Sequence, residues 1–118
     1  MKFVYSLVLI VVTSFSAQVY AVKADRSGLK IKTWHPSSTE RSAGSSYNGV
    51  TRLYFDKTGA WGSTTCRQDA ADIMFEDTHL LSSMLAAFVA DKTVKVEIND
   101  DYARRDNVCK ISAVFISR

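Results

Sequence analysis

Residues 78–98 read THLLSSMLAAFVADKTVKVEI, and the change of period inside this stretch decides the fold. From Thr78 to Ala90 the apolar side chains Leu80, Leu81, Met84, Leu85 and Phe88 fall at i, i+1, i+4, i+5 and i+8, one face of a helix. Asp77 or Thr78 is placed to cap the first turn with a side-chain oxygen. Ala86, Ala87 and Ala90 favour the helix and let it lie close against a sheet. The stripe reads as core, with Leu81, Leu85 and Phe88 expected against Val96, Ile111 and Ala113. The opposite face lacks the basic residues of a membrane-lying helix. Past Asp91 the period drops to two, as Val94, Val96 and Ile98 alternate with Lys95, Glu97 and Asn99, a half-exposed strand.

Toward the C-terminus, Asn99-Asp100-Asp101 opens a loop to about Asn107. Val108 to Ile116 is then apolar on both faces, which predicts a strand buried on both sides. Toward the N-terminus, a strand is expected between Thr64 and Phe75, with Ile73 and Phe75 inward. Lys57 to Gly62 is turn chemistry, and Val50 to Asp56 is a strand with Leu53 and Phe55 on one face. Residues 37–48 are a polar, Ser-rich loop. Leu29, Ile31 and Thr33 alternate with Lys30, Lys32 and Trp34 in a first strand that Pro36 stops. The predicted order is strand-strand-strand-helix-strand-strand. It is the order of the OB-fold, a five-stranded Greek-key barrel with one helix; an open α+β sandwich of the same order competes with it.

Residues 1–21 read as a secretory signal peptide. Met1-Lys2 precedes an apolar run from Phe3 to Val12, and Val19-Tyr20-Ala21 suits cleavage after Ala21. The run is about 10 residues, against roughly 20 for a membrane span. One domain of 97 residues would remain, from 22 to 118, with 14 basic against 12 acidic residues and a formal charge of +2. Only Cys66 and Cys109 are present, and in an oxidising compartment they most simply form one disulfide. The expected location is secreted or periplasmic, with no membrane span in the mature chain.

From Asp77 onward, DTHLLSSMLAAFVADKTVKVEIND…VCKISAVFIS resembles the last half of the B subunits of cholera and heat-labile-enterotoxin-type AB toxins. Those subunits also end in an amphipathic helix, a Lys-Val strand, a polar hairpin and a terminal Ile-Ala-Ala-Ile-Ser-like strand, and they also carry one disulfide. The likeness implies an OB-fold and a glycan-binding, oligomeric B-type subunit. The family's first cysteine lies near the mature N-terminus, whereas Cys66 is mid-chain, and none of its sugar-contacting residues has a matching motif here. The chain also resembles a broad class of small exported bacterial proteins with the same Trp, two-Cys layout.

Catalytic patterns are sparse. His35 and His79 form no zinc motif, and Gly-x-Ser-x-Gly is absent. Asp69, Asp72, Glu76 and Asp77 could suggest a glycosidase pair, but a solvated strand edge running into a helix N-terminus is the favoured reading. No catalytic residue, metal ligand or cofactor is assigned. Aromatics in polar loops are the stronger signal, because sugar sites set aromatic faces beside short polar groups. Trp61 lies between glycines in a turn, Tyr47 ends the Ser-rich loop, and Tyr102 shares a loop with Arg104 and Arg105. Trp34 reads as core or barrel rim. The expectation is a non-catalytic binding module for a glycan or protein ligand, with Trp61, Tyr47, Tyr102, Arg104 and Arg105 as contacts and a homo-oligomer as its form. A periplasmic structural or inhibitory protein that binds a partner is the alternative. Nucleic acid is disfavoured by the near-neutral charge.

Overall fold

A computed structural model describes residues 22–40, 48–103 and 106–118. The expected leader, Tyr47, Arg104 and Arg105 lie outside the described residues. Six strands and one helix follow in the order β1 (Lys23–Leu29), β2 (Ile31–Pro36), β3 (Val50–Phe55), β4 (Ala70–Met74), α1 (Thr78–Val89), β5 (Val94–Ala103) and β6 (Cys109–Ile116). The fold is mostly β with one helix, as the periods predict. The five-stranded closed barrel is corrected to an open six-stranded sheet, ordered β1-β5-β6-β4-β3-β2.

The additional strand is β1, in a stretch without a hydrophobic alternation. Its half-buried positions are Ala24, Arg26 and Gly28, and only Leu29 at its end is buried and large. Neighbouring strands are antiparallel except β4 and β6, which run parallel. Although β1 and β2 are the two edges of the sheet, only Lys30 separates them in the chain. Two residues reach about 7 Å, whereas six flat strands would set the edges about 24 Å apart. The sheet must therefore curl until its edges approach each other at Lys30. Gly28 makes the bend with a φ of 70°, a left-handed conformation that glycine adopts without steric cost. Asp56 fixes the corner: its Oδ1 accepts from the Lys30 N–H at 2.9 Å, and its own N–H donates to the Lys30 carbonyl at 2.9 Å.

Inside the curl, Leu53, Ile73, Val96, Ile98 and Ile111 pack with Leu80, Met84 and Ala87 of α1. The helix thus turns a different stripe inward from the one expected. Leu81 and Phe88 are only partly buried, Phe88 stacking on Trp34 at 6.0 Å, and Leu85 is exposed. Two adjacent apolar stripes run along this helix, 80/84/87 and 81/85/88, and both have helical spacing. Periodicity alone does not choose between them.

Three further expectations are corrected. Phe75 points outward, because β4 ends at Met74 and a turn closed by the Asp77 N–H on the Met74 carbonyl takes it off the pleat. The stretch from Asn99 is not loop at first, since β5 continues to Ala103. β6 is buried only over its first half, and Phe115 and Ile116 are exposed. The disulfide is formed: Cys66 and Cys109, with Cα atoms 5.6 Å apart, tie the loop before β4 to the first residue of β6. Among the described residues no helix is long and apolar enough to cross a membrane.

Candidate functional site

Register places a row of polar residues across five strands. His35 on β2 lies opposite Arg52 on β3, Arg52 opposite Asp72 on β4, Asp72 opposite Lys110 on β6, and Lys110 opposite Asn99 on β5. Its centre is fully buried. The Arg52 Nε donates to Asp72 Oδ1 at 2.8 Å and its Nη2 to Asp72 Oδ2 at 3.0 Å, the two-pronged geometry that guanidinium and carboxylate favour. Arg52 also donates to both carboxylate oxygens of Asp106, the partly exposed residue that leads into β6. Burial opposes the Arg52 charge, but the hydrogen bonds and attraction from Asp72 and Asp106 outweigh it and hold the guanidinium above its ordinary range. The same balance, burial overcome by Arg52, holds the Asp106 carboxyl below its ordinary value.

At the Lys110–Asn99 end of this row a cleft opens. The parallel strands β4 and β6 share one register pair, Asp72 with Lys110. Past it lies a space of about 470 Å3, walled by Met74, Glu76 and Asp77 after β4, His79 and Leu80 of α1, Asn99 of β5, and Lys110, Ile111 and Ser112 of β6. The walls thus alternate between apolar surface and hydrogen-bonding groups of both signs. Lys110 Nζ is 3.4 Å from Asp101, and the Ser112 hydroxyl donates to Glu97 Oε1 at 2.7 Å, so these two side chains are held in place. Asp77 stands at the N-cap but makes no side-chain capping bond. Phe75, between the wall residues Met74 and Glu76 in the chain, is 65% exposed.

The site expected from sequence does not assemble around Trp61. That indole is fully buried, edge-on to Phe55 with centroids 6.1 Å apart. Its Nε1–H donates to the Arg67 carbonyl at 3.0 Å, and the Arg26 guanidinium lies 4.9 Å from its ring. The glycine turn folds the ring inward, so the expected exposed contact is a core residue. Tyr102 falls within β5 rather than in a loop. The acidic cluster divides: Asp69 pairs with Arg67 at 2.6 Å, Asp72 is buried under Arg52, and only Glu76 and Asp77 reach the cleft. Asp72 thereby corrects the reading of that cluster as a solvated edge. His35 sits on β2 and His79 on α1, and among the described residues no His, Cys, Asp and Glu group could hold a metal ion.

Sequence reasoning missed Phe75, Asn99, Lys110 and Ser112. Phe75 stood in an apparent alternation, and the other three are brought together only by cross-strand register. No protein-family model, curated protein or solved structure matches the chain.

Proposed function

We propose that the chain is an exported, non-catalytic binding module that takes a glycan in the cleft between β4, α1 and β6. The observation that carries the reading is the composition of that cleft. Met74 offers apolar surface, backed by the buried Leu80 and Ile111, while Glu76, Asp77, His79, Asn99, Lys110 and Ser112 offer acceptors and donors. A pyranose needs both, because its ring has an apolar face and a rim of hydroxyls. Phe75, exposed beside the cleft in the chain, supplies an aromatic face for stacking. Tyr102, Arg104 and Arg105 follow Asp101 in the sequence and are retained as contacts on that ground alone. Trp61 is dropped as a contact.

Export is part of the same proposal. It rests on the leader-like residues 1–21 and on the Cys66–Cys109 disulfide, a bond that persists in oxidising compartments. The OB-like arrangement also belongs here. Counted as one bent strand, β1 and β2 leave five strands, with the helix between the third and fourth and a parallel pairing of the third and fifth. That count supports the resemblance to enterotoxin-type B subunits. The test is a glycan array probed with the purified protein, followed by Phe75→Ala and Asn99→Ala. Both variants should lose the hits of the parent while keeping its melting temperature. An array without hits, or variants that bind like the parent, would overturn the reading.

A further inference from the structure

We infer that α1 is also a self-association surface, through which two copies of this chain pair antiparallel about a two-fold axis. The helix has a second seam, on the side opposite its core contacts. Leu80, Met84 and Ala87 face inward. Outward, Thr78, Ser82, Leu85 and Val89 follow one another at steps of four, three and four, the spacing at which paired helices meet. All four are exposed, Leu85 by 44% and Val89 by 77%. No Asp, Glu, Lys or Arg occurs from Thr78 to Val89. A helix that only faces water ordinarily carries charge on its outer side.

The charges stand at the two ends instead, and with opposite sign. Glu76 and Asp77 precede the helix and Lys92 follows it, while Asp91 is engaged by Lys30 at 3.1 Å. Antiparallel pairing sets Lys92 of each copy beside Glu76 and Asp77 of the other, twice over, and opposes the two helix dipoles. A parallel pair would place like charges together. The sheet edges offer a poorer route. Lys23, Asp25 and Lys32 are exposed along β1 and β2, both strands change register, and Pro36 ends β2, devices that blunt edge-to-edge pairing. A 12-residue helix is about 18 Å long. Such a contact falls short of the about 800 Å2 per partner of a standard interface, so a weak, concentration-dependent dimer is expected.

Sedimentation equilibrium without ligand tests this, independently of the glycan reading, on the chain expressed with its own N-terminal segment. Between micromolar and millimolar concentration the protein should pass reversibly from monomer to dimer. Leu85→Glu and Val89→Glu should each leave it monomeric, with an unchanged far-ultraviolet circular dichroism spectrum. Lys92→Glu should weaken the dimer by about tenfold or more through like-charge contact, and adding Glu76→Lys should restore it. A monomer at every concentration would overturn the inference. So would association that survives Val89→Glu, or a charge reversal without rescue.

Discussion

Asp72 lies directly across the β3–β4 ladder from Arg52, and both its carboxylate oxygens accept from a guanidinium that is itself buried. Two charges in a dry site lose their hydration, and only close, two-pronged bonding with further partners compensates for that loss. Asp106 is such a partner, and the backbone register that sets Asp72 between Arg52 and Lys110 brings the cleft wall next to the pair. The polar row therefore links stability to the shape of the candidate site.

Breaking this pair on one side should cost far more than removing it whole. Asp72→Asn leaves the Arg52 charge short of its main counter-ion, for an expected loss of about 3–5 kcal/mol. Arg52→Met combined with Asp72→Leu removes both buried charges, and the freed Asp106 carboxylate is exposed enough to hydrate. The double variant should be more stable than Asp72→Asn in urea denaturation. Additive losses would show that the two residues act separately.

Acid should loosen the same network from its exposed end. Because Asp106 has a lower carboxyl pKa when folded than when unfolded, its contribution is complete above the ordinary carboxylate value of 3.8. The contribution is then lost as the pH falls below that value through the folded one. Asp106→Asn should lower stability at neutral pH and flatten the acid limb of the stability–pH curve. An acid limb of unchanged slope in the variant would place the transition elsewhere.

Much of this fold was legible in the residues, and the failures have physical causes. Val94, Val96 and Ile98 alternate cleanly and form β5 where expected, because one side of that strand meets the core and the other meets water. β1 escaped because Ala24, Arg26 and Gly28 occupy its inner side without forming an apolar pattern. Arg26 there is half-buried over Trp61, and burial lowers its pKa against the pull of Asp56. Trp61 departs from the expectation because its glycine-flanked turn folds the indole in against Phe55 and Arg26 instead of holding it in water. Asp72 was misread because a carboxylate's burial depends on Arg52, 20 residues earlier in the chain. The cleft was the least legible part, since residues from β4, α1, β5 and β6 meet there only after strand order is known.

The disulfide should carry a large part of the stability. Cys66 and Cys109 are 43 positions apart and close a long loop in the unfolded chain. The chain-entropy model gives about 4 kcal/mol for a loop of that size. The two sulfurs are bonded to each other, so alkylation of the unfolded chain without reductant should modify neither cysteine. Cys66→Ala with Cys109→Ala should lower the urea midpoint accordingly, and a midpoint equal to the parent's would mean the bond adds no constraint.

Trp61 gives the sharpest separation between a binding role and a structural one. Its ring fills the space between Phe55 and Arg26, and its Nε1–H satisfies the Arg67 carbonyl in the loop that leads to Cys66 and β4. Truncation to Ala removes the largest fully buried side chain and leaves a cavity, at a cost of about 3–5 kcal/mol. Trp61→Phe keeps much of the packing but leaves that carbonyl without its donor, a smaller loss of about 1–3 kcal/mol. Urea denaturation followed by far-ultraviolet circular dichroism measures both, since the variants lose the indole as a fluorescent reporter. The expected order is parent, then Phe, then Ala. If Trp61→Ala instead melted with the parent and lost only ligand binding, the indole would be a surface contact and its place in the core would be wrong.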